Sequence, residues 1–135
     1  MSITFEYPTM ILEKHLDSYG HVNNAVYLEI YEEARWDFIT RNGWGLDRVH
    51  RDRLGPVILD IALSFKKELR NREKIIITST FKEMRNPLVM VLEQQILNEA
   101  GRPASTMILQ MGLMDLSKRR LIRPPLDWMR AIGAE

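Results

Sequence analysis

The chain has 135 residues, 45% of them hydrophobic and 27% charged, which is enough apolar material for the core of one domain spanning residues 1–135. Nineteen lysines and arginines against 18 acids leave a formal charge of +1, so there is no broad electrostatic basis for binding nucleic acid. The absence of cysteine excludes disulfides, thiol nucleophiles and cysteine-ligated zinc, and is compatible with a reducing compartment.

The first residues, Met1-Ser2-Ile3-Thr4-Phe5-Glu6-Tyr7-Pro8, lack the basic start and long apolar run of a signal peptide. No segment approaches the roughly 20 apolar residues of a membrane span, so a cytoplasmic location is expected. Residues 4–13 suit an extended strand, with Pro8 marking an edge or an irregularity. A polar loop follows, Asp17-Ser18-Tyr19-Gly20-His21-Val22-Asn23-Asn24, and then an amphipathic helix beginning near Ala25, capped by Asn23 or Asn24. Tyr27, Ile30, Tyr31, Ala34 and Phe38 recur at spacings of three and four and share one face, with Glu29, Glu32, Glu33 and Asp37 largely elsewhere. Asn42-Gly43 supplies the stop.

A short helical piece is expected over residues 46–51. Beyond Gly55-Pro56 the chain alternates, with Val57, Leu59, Ile61, Leu63 and Phe65 on one side and Ile58, Asp60, Ala62, Ser64 and Lys66 on the other, which predicts a strand with one apolar face. Three more strands are expected over residues 74–84, 88–97 and 103–116, with Met107, Leu109, Met111 and Leu113 sharing a face. Their connections, Arg85-Asn86-Pro87 and Asn98-Glu99-Ala100-Gly101, have turn composition and predict an antiparallel meander. The order of elements gives an α+β fold, one twisted sheet packed on the long helix, with edges that a partner subunit would cover.

The loop and the helix start carry the chemistry. A helix beginning near Ala25 leaves its first amides unpaired, and such donors suit a carbonyl oxygen that becomes negative under attack. Asp17 can reach the same space as a base for water or as a nucleophile; as a plain structural residue it would only make a turn. Gly20 permits a tight backbone path. His21 can orient the loop, polarise a water or contact ligand, while a lone loop histidine is often merely solvated or bonded to backbone. His15, Asp17 and His21 match no metal-ligand spacing, so no metal is expected. Tyr27 and Tyr31 belong to the core or an interface rather than to acid catalysis, Lys118-Arg119-Arg120 to a solvated turn, and the eight methionines to core filling or an adaptable apolar pocket.

The run His15-Leu16-Asp17-Ser18-Tyr19-Gly20-His21-Val22-Asn23-Asn24-Ala25, then Tyr27-Leu28-Glu29 and Glu32-Glu33-Ala34-Arg35-Trp36-Asp37, resembles the hotdog-fold acyl-CoA thioesterases. The branch is the one that includes the 4-hydroxybenzoyl-CoA thioesterases and the bacterial long-chain acyl-CoA thioesterase III. The resemblance implies a sheet wrapped around the long helix, dimers whose sheets join edge to edge, sites at the subunit interface, and dimers that often pair into tetramers. It implies Asp17 as the catalytic carboxylate and the backbone amide of Asn24 as the group that polarises the thioester carbonyl, with His21 in a secondary role. Plant acyl-carrier-protein thioesterases share the His-Val-Asn-Asn run but carry asparagine where this chain has Tyr19. Arg85 resembles an arginine that contacts the nucleotide of CoA, although the next family arginine is Asn86 here.

The function expected from these residues is hydrolysis of an acyl-CoA to a carboxylic acid and CoA, without metal or organic cofactor. Apolar residues of the helix, Tyr27 among them, and of the neighbouring subunit would line the acyl pocket. An acyl-thioester hydratase or dehydratase and a non-catalytic acyl-CoA sensor are the rival readings.

Overall fold

The computed structural model describes residues 2–134. The long helix, α1 (Asn24–Arg41), starts where its cap dictates: Asn23 is extended and its side chain accepts from the Ala25 amide at 2.9 Å. It ends at Asn42, followed by Gly43 with φ 92°. Tyr27, Ile30, Tyr31, Ala34 and Phe38 are all buried, as their spacing requires. So are Ile39 and Arg35, which widens the apolar stripe and places a cation within it. The second helix, α2, covers Leu46–Asp52.

Six antiparallel strands form one sheet of order β1-β3-β4-β5-β2, with β6 also pairing β5. The strands are β1 (Thr4–Met10), β2 (Leu54–Phe65), β3 (Lys74–Asn86), β4 (Val89–Leu97), β5 (Pro103–Asp115) and β6 (Arg120–Ile122). The meander is β3-β4-β5, joined by a turn at Pro87-Leu88, later than the expected Arg85-Asn86-Pro87 because β3 runs on to Asn86, and by the expected turn after Asn98, while β2 lies beyond β5 and β1 beyond β3. Pro8 therefore sits on an edge strand, where a missing N–H costs least. The first strand stops at Met10 rather than residue 13, because residues 13–15 turn into a single 3-10 turn. The buried faces of α1 and of the sheet form one core, the α+β hotdog arrangement that the resemblance implies.

Two sequence expectations need correction. The alternation in β2 does not hold through its length, because the register passes from Ile58↔Met111 to Asp60↔Gln110 and leaves Leu59 as an extra residue. A bulge shifts the phase by one, so Ile58 joins Ile61 and Leu63 on the side of buried Met111, Leu109 and Met107, while Val57 turns away with Gly112. Nor is this face buried within one chain: Ile58, Leu59, Ile61 and Phe65 are all exposed. Beyond the basic run, which is the exposed turn expected, the C-terminal segment was also unforeseen. Asp115 accepts from the amides of Ser117 and Lys118, so the basic run is a turn that leads into β6, and α3 (Leu126–Ala131) inserts Trp128 fully into the core, edge-on to Trp44 at 5.4 Å.

The core also holds a polar network. Arg35 donates to Gln94 Oε1 at 2.8 Å, Gln94 donates to Ser79 Oγ and to the Tyr31 carbonyl, and the Tyr31 hydroxyl donates to Ser105, which donates to the Ser64 carbonyl. Burial works against the charge of Arg35, and Gln94 is its sole hydrogen-bond acceptor among the described residues. Gln94→Met is expected to lower unfolding free energy in urea by about 3 kcal/mol, and Arg35→Met in the same chain to recover part of that loss in a double-mutant cycle.

Candidate active site

The start of α1, the loop before it and the end of β2 enclose a groove of about 630 Å³. It is lined by His21, Val22, Asn24 and Tyr27 from the loop and helix and by Phe65 with residues 66–69 from the end of β2 and the segment after it. Tyr27 and Phe65 meet edge to face at 4.9 Å, giving the groove an apolar floor. Burial pushes the Tyr27 hydroxyl up, so it stays protonated at neutral pH.

The Asn24 amide is the first of the helix, and it donates to no acceptor among the described residues. The neighbouring amides are engaged: Ala25 N–H donates to the Asn23 side chain and Val26 N–H to the Asn23 carbonyl. Asn24, whose amide is an unpaired donor at the positive end of this 18-residue helix, is thus among the residues lining the groove.

Asp17 is half-buried at the base of the loop. Its Oδ1 accepts from the amides of Tyr19 at 2.8 Å and His21 at 3.2 Å, and its own amide donates to the His21 carbonyl at 2.8 Å. The turn-making role and a chemical role are compatible, since Oδ2 accepts no hydrogen bond among the described residues. Asp17 stands beside the groove rather than among its lining residues. Gly20 has φ 82°, a conformation that lets the loop return on itself.

His21 is exposed and places Nε2 2.9 Å from Glu68 Oε1, bridging the loop and the segment after β2 across the groove mouth. His15 faces inward: its Nδ1 accepts from the Leu12 amide at 2.8 Å, and burial holds the imidazole below the usual histidine range. Its carbonyl accepts from the Asn23 amide at 3.0 Å, so the turn at residues 13–15 supports the helix cap. Among the described residues no group of three metal-binding side chains is found.

Arg85 is not brought to this groove. The register runs Phe65↔Ser105, Ser105↔Ile96 and Ile96↔Ile77, so Arg85 lies eight residues further along β3, roughly 25 Å towards the other end of the sheet. Conversely, the wall made by Phe65 and residues 66–69 carried no local motif. Its one visible signal was the aromatic residue closing an alternating run.

The chain matches the model of the thioesterase-like superfamily over residues 12–132. The chain belongs to that superfamily. Long-chain acyl-CoA thioesterase FadM of Escherichia coli is 26% identical over 108 residues, 80% of this chain and 81% of that protein. A chloroplastic acyl-acyl carrier protein thioesterase, ATL3 of Arabidopsis thaliana, is 30% identical over 77 residues, which are 57% of this chain and 40% of that protein. Among solved structures, the Staphylococcus aureus protein SAV2348, in complex with CoA, superposes with a TM-score of 0.88 at 18% identity, covering 98% of this chain and 83% of that one. This thioesterase is therefore a thioester hydrolase on the hotdog architecture, and no helix among its described residues is long and apolar enough to cross a membrane.

The site geometry makes stability depend on pH through His15. Its folded value is depressed, so the unfolded chain binds more protons as pH falls, and the stability that the neutral imidazole contributes is present above the ordinary histidine range and lost below it. Urea midpoints measured at pH 8 and at pH 5 should show a decline that His15→Asn, which can still accept from the Leu12 amide without titrating, makes shallower.

Proposed function

We propose that this thioesterase hydrolyses acyl-CoA, with Asp17 as the reactive carboxylate and the Asn24 backbone amide as the oxyanion donor. The observation that carries the reading is the unpaired Asn24 amide, set in an apolar-floored groove beside a carboxylate that keeps one oxygen free. The similarity to FadM, over most of both chains, supports CoA as the carrier. A carbonyl oxygen placed at Asn24 gains one preorganised donor, worth about 3 kcal/mol in the tetrahedral transition state. Asp17 then either takes the proton of an attacking water or attacks the carbonyl itself and is released from the anhydride by water; both routes leave carboxylic acid and CoA. Tyr27 and Phe65 receive the first acyl carbons. His21, tied to Glu68, holds the loop that carries Asp17.

A pair of chains joined along β2 accounts for the exposed strand. It is a 12-residue edge with Ile58, Leu59, Ile61 and Phe65 facing solvent, and an apolar edge of that length is an aggregation hazard unless another strand covers it. Antiparallel pairing of two β2 strands would bring a second chain to the open side of the groove at Phe65.

Thiol release from a panel of acyl-CoAs tests the chemistry. Asp17→Asn is expected to fold as the parent does and to lose at least about a hundredfold in kcat, whereas Asn24→Ala, which keeps the amide, costs far less; normal hydrolysis of every substrate by Asp17→Asn removes that residue from the mechanism. Sedimentation velocity tests the pairing: Ile61→Lys should shift the protein to a single-chain species, and a parent protein that sediments as one chain contradicts the assembly.

A further inference from the structure

We propose that the connection between β2 and β3 holds the phosphates of CoA through Lys66, Lys67 and Arg70. The assignment rests on the acyl-CoA reading above and replaces Arg85 as the anchor within one chain.

The groove continues beyond its apolar floor. A second, polar cavity of about 670 Å³ runs over residues 67–73 to Asn98 and Glu99, and the two cavities share Lys67 and Glu68. With the carbonyl at Asn24 and the acyl group against Tyr27 and Phe65, this shared wall is an open path for the thiol arm towards solvent.

Charge along that path is unevenly committed. Glu68 is held by His21, Arg72 by Glu13, Glu73 by the amides of Arg70 and Glu99, and Glu99 by the amide of Lys74. Lys66, Lys67 and Arg70 are exposed and have no carboxylate partner among the described residues. The backbone beneath the two lysines is fixed, since both amides donate to the Ala104 carbonyl, at 2.8 and 3.1 Å. From Lys66 to Arg70 the chain spans at most about 14 Å. Three donors over that distance suit a pyrophosphate and a ribose phosphate engaged together, and an arginine fork adds bidentate geometry to one of them. Arg85, roughly 25 Å away along β3, has no such access within the same chain.

Calorimetric titration of the full chain with CoA and with pantetheine, which lacks the phosphates, separates this site from the rest of the groove. The parent is expected to bind CoA about tenfold or more tightly than pantetheine, a margin that added salt erodes, and Lys67→Ala with Arg70→Ala should remove most of that margin. Equal affinity for the two ligands in the parent, equal weakening of both by the variant, or a margin removed by Arg85→Ala instead would each overturn the assignment. So would a variant whose only loss is in turnover of an acylated carrier protein. Absence of thiol release with the CoA margin intact would overturn the thioesterase chemistry of Asp17 and leave the phosphate site standing.

Discussion

Arg35, on the core face of α1, donates to Gln94 in β4, and Gln94 donates in turn to Ser79 in β3 and to the Tyr31 carbonyl one helical turn earlier. Tyr31 reaches the other way, through Ser105 in β5 to the Ser64 carbonyl in β2. Apolar contacts between a helix and a sheet are tolerant of small slides, because dispersion is non-directional. These hydrogen bonds are not tolerant, since Tyr31, Arg35, Ser79, Gln94 and Ser105 are all buried and an orphaned donor in that environment costs more than the bond is worth when made. They fix α1 lengthwise across four strands.

That position decides the site. With Tyr31 locked opposite Ser105, Tyr27 one turn earlier falls opposite Phe65, and the helix start opens beside the end of β2. The Asn23 cap and the carbonyl of His15 then determine which amide is left unpaired. Asp17 is held by the same loop, with its Oδ1 spent on two amides and its Oδ2 free. The proposed chemistry thus depends on local capping, but its location depends on a network that begins at Tyr31, seven residues along the chain from Asn24.

Much of the fold was legible because the periodicities are clear. The apolar spacing of α1, the capping Asn23, the turn residues between β4 and β5 and the strand pattern of β5 each follow from local sterics and hydrogen bonding, and each appears where expected. The alternating run in β2 misled at one residue, since a bulge is an event between two strands and leaves no periodic trace in either. Helix α3 was missed because Leu126, Trp128 and Met129 are too few to show a period; Trp128 is buried by contacts with Trp44 and with Met90, far away in the chain.

By itself the sequence determined the elements up to β5, the loop that carries Asp17, the helix start near Asn24 and a strong family resemblance, all of which are encoded in short runs of neighbouring residues. Only the tertiary structure decided what faces that loop. Phe65, Lys66, Lys67 and Glu68 come to it from a strand some forty positions later, and Arg85 is carried away from it by the length of β3. The physical reason is that a groove belongs to the register between strands and to the seat of a helix upon them. Those are set by long-range pairings that no local pattern records.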